Sequence, residues 1–165
     1  MTETAKAATG QHTTNGTPHG YTSLTPFIVV PRAGEAIKFY ADVFGARTLG
    51  VTEMGGVVVH AELDFGAGRL QLGEPNPAFH LVAPPQPDDV CYSLALYCPD
   101  ADAVVAKAEA AGAVVREPLM TFVSGDRFAS VLDQFGVRWS IMTRVEDLSE
   151  DESCDRVAKW AAEQA

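Results

Sequence analysis

The feature that most constrains this chain is an internal repeat with a spacing of 67 to 69 residues. Gly45 and Gly112 are 67 positions apart, and each follows a segment of helical character. Arg69 and Arg138 are 69 positions apart, and each opens the last apolar stretch of its half. Repetition at a fixed spacing is typical of a duplicated structural unit. The sequence therefore predicts two copies of one module.

Hydrophobic periodicity gives both halves the same order of elements, which is one strand, one helix and three strands. The elements predicted for the first module are a strand at 24–30, a helix at 34–44, and strands at 46–53, 57–65 and 69–73. Those predicted for the second are a strand at 91–98, a helix at 100–111, strands at 113–117, 127–132 and 137–142, and a loop over 118–125. The order β-α-β-β-β in both halves predicts an α+β fold built from two paired βαβββ modules.

Composition divides the chain into three segments. Residues 1–20 have almost no bulky apolar side chains and are predicted to be a flexible tail. Residues 21–145 are predicted to form a single domain, with modules at about 24–74 and 91–144 joined by a proline-rich linker at 75–90. Residues 146–165 hold seven acids and two bases. They are predicted to be an acidic tail with a short helix capped by Ser153, in which Trp160 is either solvated or docks on a partner subunit.

The charge and the cysteine count exclude several classes of protein. The 22 acidic and 12 basic residues give a net charge of −10, which argues against nucleic acid as a partner because phosphate binding needs a basic face. No run of about 18 apolar residues and no signal peptide occur, so we expect a cytoplasmic protein without membrane spans. Three cysteines, Cys91, Cys98 and Cys154, are too few for a disulfide framework, and we expect free thiols.

Several stretches, taken in order, resemble the vicinal oxygen chelate superfamily of glyoxalases, bleomycin-resistance proteins and dioxygenases, and most closely its PhnB-like branch. The matching stretches are Leu24-Thr25-Pro26-Phe27 and residues 39–46, 60–63, 111–113, 125–127 and 133–140. The resemblance covers about residues 24–149. It implies a cupped mixed sheet around a cavity, a small-molecule ligand and a homodimer.

The superfamily takes its metal ligands from the first and last strands of each module. The resemblance carries these positions onto Thr25, Gln71, Ser93 and Ser140. A catalytic divalent metal prefers imidazole or carboxylate ligands, whereas these hydroxyls and this amide are neutral. Glyoxalase I or extradiol dioxygenase activity is therefore not expected, and we expect no cofactor at this place.

His60 and Glu62 are two residues apart on a predicted strand, so they share one face, which Val58 and Asp64 also share. The opposite face carries the apolar residues at 57, 59, 61 and 63. The polar pair could contact a ligand, act as an acid and base, or hold a displaced divalent metal. It could equally belong to a polar strand that faces solvent or a dimer partner.

Five further residues are candidates for ligand binding: Gln71, Tyr92, Phe122, Arg127 and Trp139. Arg127 could clamp a carboxylate or phosphate, or pair with Asp126, Asp133 or Glu62. Phe122 lies in a predicted loop that could line a pocket. Trp139 either packs in the core or forms part of a cavity wall.

The function predicted from these observations is the binding of a small organic molecule in the sheet cavity without the usual metal site. The alternative is a metal-dependent lyase, isomerase or dioxygenase with a shifted site that uses His60 and Glu62. A third hypothesis is a structural or regulatory protein whose acidic tail contacts a partner. Whether the chain is an enzyme stays open at this point.

Overall fold

A computed structural model describes residues 5–85 and 89–164, which fall into two compact units that meet at residues 82 and 83. This boundary lies inside the linker predicted at 75–90. Residues 1–4 of the predicted tail, 86–88 of the predicted linker and residue 165 lie outside the described residues. In the part of the chain that is described, no helix is both long and apolar enough to cross a membrane.

The first unit begins with a small hairpin inside the predicted tail, formed by β1 (Thr13–Thr14) and β2 (Thr17–Pro18). The elements that follow are β3 (Phe27–Val29), α1 (Ala33–Phe44), β4 (Arg47–Met54), β5 (Val57–Asp64) and β6 (Arg69–Gly73). The sheet order is β3-β6-β5-β4. Strand β3 is parallel to β6, and the other neighbours are antiparallel.

The second unit repeats this arrangement. Its elements are β7 (Leu94–Tyr97), α2 (Ala101–Ala110), β8 (Val114–Thr121), β9 (Asp126–Leu132), β10 (Arg138–Arg144) and α3 (Glu150–Glu163). The sheet order is β7-β10-β9-β8, with β7 parallel to β10 and the other neighbours antiparallel. The shared order and strand directions confirm the predicted duplication of a βαβββ module.

The second strand of each module in chain order, β4 in the first unit and β8 in the second, carries a bulge at the corresponding position. Leu49 is the extra residue in β4, and Arg116, 67 positions later, is the extra residue in β8. A bulge bends its strand and increases the local twist. The two sheets are therefore bent at corresponding points.

Each of the first two helices covers one face of the sheet in its own unit. Helix α1 contacts β4 and β5, and α2 contacts β8, β9 and β10. The core of the first unit includes the fully buried Tyr40, Ala61 and Leu63. Because side chains alternate along a strand, Glu62 lies on the face of the first sheet that α1 leaves uncovered. The candidate polar residues are therefore not part of the core.

Helix ends follow the signals in the sequence. Gly45 ends α1 in the left-handed conformation at φ 71°, where a side chain would be strained. Asp100 caps α2 by accepting a hydrogen bond from the Ala103 amide. The third helix differs from the prediction, because its cap is Ser149, which forms a capping box with Glu152. Ser153 lies inside the helix instead.

Four strand predictions need correction. The first strand starts at Phe27, and Leu24 before it is 80% exposed. The strand predicted at 91–98 is shorter, Leu94–Tyr97. Residues 118–121 of the predicted loop belong to β8, because the register shift between Glu117 and Met120 accommodates Pro118, which lacks an N–H. In β5, Val58 is buried like Ala61, because a second register shift interrupts the alternation before His60.

Candidate functional site

Three of the predicted ligand-binding residues lie together on the first sheet. Glu62 on β5 and Gln71 on β6 are direct cross-strand partners, and Gln71 Nε2 donates to Glu62 Oε1 at 3.0 Å. His60 Nε2 lies 3.4 Å from the same carboxylate oxygen. The ring of His60 is 6.0 Å from that of Phe27, centroid to centroid. The sheet thus holds Glu62 through one of its two oxygens.

The other oxygen is engaged by a residue that the sequence did not single out. The Tyr21 hydroxyl donates to Glu62 Oε2, and the guanidinium carbon of Arg69 lies 3.9 Å from the centroid of the Tyr21 ring. A pocket of about 380 Å³ opens beside this contact, between residues 16–18 and 21–23 and the side chains of Glu62 and Gln71. Because 41 residues separate Tyr21 from Glu62, no local pattern reveals the contact.

The hydrogen bond between Tyr21 and Glu62 shifts the pKa of both groups. It lowers the pKa of Glu62 below its ordinary value, and His60 and Gln71 add to this effect against the opposing effect of burial. The same bond raises the pKa of Tyr21 above its ordinary value, although Arg69 partly opposes it. The pair at neutral pH is therefore an ionised carboxylate and a neutral phenol.

Arg127 does not present a free guanidinium to a ligand. Its Nε donates to Asp102 Oδ2 at 2.9 Å, and its Nη2 donates to Asp102 Oδ1 at 2.7 Å. This bidentate pair ties β9 to α2, and it raises the pKa of Arg127. The partner is therefore Asp102, and none of the three acids proposed from the sequence. Tyr92, also in the second unit, precedes β7 and is 41% exposed.

Trp139 is a core residue of the second unit. It is 3% exposed, and its indole Nε1 donates to Asp133 Oδ2 at 2.9 Å. Asp133 Oδ1 also accepts hydrogen bonds from the backbone amides of Phe135 and Val137, both at 2.9 Å. The side chain of Trp139 therefore packs within the second unit.

Phe122 lines a cavity of about 420 Å³ in the second unit. The apolar side chains around this cavity, which we call the second-sheet cavity, are Met120, Phe122, Phe128, Met142 and Trp160. The rings of Phe122 and Trp160 meet edge to face, with centroids 5.0 Å apart. Helix α3 of the acidic tail therefore contributes an aromatic wall to the cavity, while 39% of Trp160 stays exposed.

Most of these lining residues are not evident from the sequence. The pattern predicts a loop that includes Met120, and it assigns no role to Phe128 or Met142. The alternation of Asp126 and Phe128 along β9 was a usable signal, since it puts both on one sheet face. No local sequence pattern indicates that Trp160 of α3 lines the same cavity as Phe128 of β9.

Two carboxylates line the second-sheet cavity, and each is already paired with an arginine. Asp126, 6% exposed, accepts hydrogen bonds from Arg144 Nε and Ser124 Oγ, both at 2.8 Å. Glu117 accepts one from Arg138 Nη2 at 2.7 Å. Pairing with Asp126 raises the pKa of Arg144. The charges beside the cavity therefore balance, although the whole chain carries −10.

Comparison with known families identifies the architecture. Residues 12–141 match the Glyoxalase/Bleomycin resistance protein/Dioxygenase superfamily. The chain belongs to this superfamily. Relatives of this chain include an uncharacterised protein of Mycobacterium bovis, 32% identical over 134 residues, which are 79% of this chain and 88% of that protein. An uncharacterised protein of Mycobacterium tuberculosis H37Rv is also 32% identical, over 79% of each chain.

Solved structures of the superfamily fold agree with this assignment. TioX from Micromonospora sp. ML1 has a TM-score of 0.60 and 23% identity, over 74% of this chain and 98% of that one. A PhnB protein from Bacillus cereus, described as a putative 3-demethylubiquinone-9 3-methyltransferase, has a TM-score of 0.58 and 20% identity, over 74% and 99%. At these identities the likeness concerns the fold alone, and a PhnB protein is among the proteins that share it.

The four positions that carry metal ligands elsewhere in the superfamily do not suit a divalent metal here. Thr25 and Gln71 in the first unit and Ser93 and Ser140 in the second offer only neutral oxygens. The hydroxyls of Ser93 and Ser140 are 2.9 Å apart and hydrogen-bond to each other. The donor set therefore differs from the imidazole and carboxylate set that such a metal requires.

A shifted metal site at His60 and Glu62 fits no better. The described residues contain no cluster of three or more histidine, cysteine, aspartate or glutamate side chains placed to hold a metal ion. Both oxygens of Glu62 already accept hydrogen bonds, one from Gln71 and one from Tyr21. His60 and Glu62 therefore supply two donors at this place, fewer than the three that a catalytic metal typically takes from a protein.

Proposed function

We propose that this chain binds a small, uncharged and largely apolar organic molecule in the second-sheet cavity, without a metal. The observation that carries the proposal is a cavity of about 420 Å³ whose lining is dominated by methionine and aromatic side chains. Pockets for small organic ligands are typically about 300 to 1,000 Å³ and mostly apolar, with few polar groups. The cavity meets both criteria.

The lining favours an aromatic ligand. Phe122, Phe128 and Trp160 supply ring edges and faces, which attract another ring beyond the simple burial of area. Met120 and Met142 are flexible and polarisable, so they can adapt to ligands of different outline. A charged ligand is disfavoured because the carboxylates of Glu117 and Asp126 already have arginine partners.

A fluorescence titration with the neutral apolar dye N-phenyl-1-naphthylamine tests the proposal. The Met142→Trp variant fills the cavity and should weaken dye binding at least about tenfold. Met54→Trp, at a 68% exposed position of the first unit, is the matched control and should bind as the wild type does. A wild type that does not bind the dye, or a Met142→Trp variant that binds it equally well, would contradict the proposal.

The alternative of a metal-dependent lyase, isomerase or dioxygenase at His60 and Glu62 receives no support from a specific observation. Glu62 is engaged with Gln71 and Tyr21, and the His60 ring nitrogen lies 3.4 Å from Glu62 itself. Among the ligand-binding residues predicted from sequence, the proposal keeps Phe122 and leaves Arg127 and Trp139 as structural residues. Tyr92 stays a prediction.

The predicted homodimer and the cytoplasmic location also stay predictions. Superfamily membership supports the dimer, and sedimentation of the purified chain would test it. The hypothesis that the acidic tail contacts a partner protein also stays a prediction. An alternative role for the tail is to form part of the cavity wall, because its residue Trp160 lines the cavity.

A further inference from the structure

The contact of Tyr21 with the first sheet has the form of a ligand in a binding site. Its hydroxyl donates to a carboxylate, and its ring lies under a guanidinium group. The residues that receive it, Glu62 and Arg69, belong to the sheet, whereas Tyr21 belongs to the segment that precedes β3. We call the set of Glu62, Gln71 and Arg69 the first-sheet site.

The sheet prepares this site independently of Tyr21. Gln71 and His60 both approach Glu62 Oε1, so the carboxylate is fixed by its strand neighbours and Oε2 is left for an outside donor. Arg69 is the second half of the site. Its Nε is buried and has no hydrogen-bond partner among the described residues, so the sheet leaves it with an unmet donor.

The N-terminal segment is shaped to reach the site. Gly20 lies directly over Arg69, and a Cβ atom at this position would be 2.4 Å from Arg69 Nη2. Gly20 also has φ +88°, a conformation that favours glycine. The pocket of about 380 Å³ beside Tyr21 leaves room between this segment and the sheet. The segment therefore covers the site without filling it.

We propose that the first-sheet site binds a small hydroxyaryl compound, a phenol, and that Tyr21 is its internal occupant. The phenol hydroxyl would donate to Glu62 Oε2, and its ring would take the place of the Tyr21 ring under Arg69. This site shares no residue with the second-sheet cavity, since all its residues belong to the first unit. The equivalent position in the second sheet holds Ser130, which has no carboxylate, so the site occurs once in the repeat.

An internal occupant competes with a free ligand. A tethered group acts at an effective concentration that reaches the millimolar range for short flexible connections. The wild-type chain should therefore bind a free phenol weakly, and removal of the Tyr21 ring should expose the site. The N-terminal segment would in this way set the ligand concentration at which the site fills.

The test is an NMR titration of the ¹⁵N-labelled chain with 4-methylphenol, the free equivalent of the tyrosine side chain. In the Tyr21→Ala variant, this probe should shift amide signals near residues 60–62 and 69–71. It should bind at least about tenfold more tightly than it binds the wild type. 4-Methylanisole, which has the same ring but no hydroxyl donor, should leave these signals unchanged.

The carboxylate is tested in the same background. Adding Glu62→Gln to Tyr21→Ala should weaken 4-methylphenol binding about tenfold, because a charge-assisted hydrogen bond is replaced by a neutral one. Equal binding with and without Glu62, equal shifts with 4-methylanisole, or no shift near residues 60–71 would overturn the proposal. Shifts confined to residues 120–128 and 142 would locate the probe in the second-sheet cavity, which would support the proposed function and reject this site.

Discussion

Glu62 in the first sheet and Ser130 in the second occupy equivalent positions. Each lies directly opposite the third residue of the last strand of its sheet, Gln71 in one case and Ser140 in the other. The same place in the repeated module is therefore a carboxylate in one unit and a small hydroxyl in the other. In the first unit it receives Tyr21, and in the second it is buried next to Arg138, whose Nε donates to Ser130 Oγ at 2.7 Å.

The docking of the N-terminal segment should depend on pH at both extremes. The pKa of Glu62 is lowered from 4.5 in the folded chain, so its contribution is complete above this value and is lost as pH falls through the folded pKa. The pKa of Tyr21 is raised from 10.0, so its contribution is complete below this value and is lost as pH rises through the folded pKa.

Amide hydrogen exchange of residues 11–23 across this range should therefore be slowest between about pH 5 and pH 9, after correction for intrinsic rates. Tyr21→Phe should abolish the loss of protection at alkaline pH, and Glu62→Gln should abolish the loss of protection at acidic pH. Tyr97→Phe, which alters a tyrosine of the second unit, is the control. Protection that is unchanged in Tyr21→Phe would contradict the role of the hydroxyl.

Replacement of Asp133 by alanine should destabilise the second unit strongly. The change leaves the Phe135 and Val137 amides and the Trp139 indole without their acceptor, at a cost of about 3 kcal/mol in the free energy of unfolding. Asp133→Asn keeps one carbonyl acceptor and should cost less. Urea denaturation measures both, with the exposed Asp147→Ala as control. A loss in Asp133→Ala no larger than in the control would contradict this account.

Arg127→Ala should leave ligand binding in the second-sheet cavity unchanged. The guanidinium is held by Asp102 of α2, so its removal affects only the attachment of the helix to β9. The pair is exposed, and exposed ion pairs contribute little to stability. Dye titration and urea denaturation of Arg127→Ala and of Asp102→Ala should give the same small effects. A large loss of dye affinity in Arg127→Ala alone would restore the ligand role that the sequence suggested.

Weakening the start of α3 should open the second-sheet cavity. Ser149→Ala removes the hydroxyl of the capping box and should cost the helix about 1 kcal/mol. Because α3 carries Trp160, acrylamide should quench tryptophan fluorescence more efficiently in this variant, and dye affinity should fall. Ser149→Asp, which retains a capping oxygen, should resemble the wild type. Unchanged quenching in Ser149→Ala would show that the position of Trp160 in the cavity wall does not depend on the N-cap of α3.

The sequence predicts local features of this fold well. Gly45 marked the end of α1, and Asp100 stood directly before α2, because a helix end is determined by the residues next to it. The repeat was visible because both modules place similar residues at their turns. Pro118 is an exception, because proline predicts a loop at this position. The irregular pairing of β8 with β9 accommodates it within the strand.

Contacts between distant segments could not be predicted in the same way. His60, Glu62 and Gln71 were found because strand alternation and a family resemblance pointed to them. Tyr21 was missed because its partner is 41 residues away and its own segment has no periodicity. Arg127 was found as a candidate, but its partner was missed, because α2 meets β9 only after the helix packs on the sheet.

The matched bulges at Leu49 and Arg116 bear on the history of the chain. An extra residue at the same point in two strands 67 positions apart is most simply inherited from one ancestral half. The bend of the sheet would then be older than the duplication. Glu62 and Ser130 differ at the neighbouring position, so the two halves diverged in chemistry on a backbone whose curvature was already fixed.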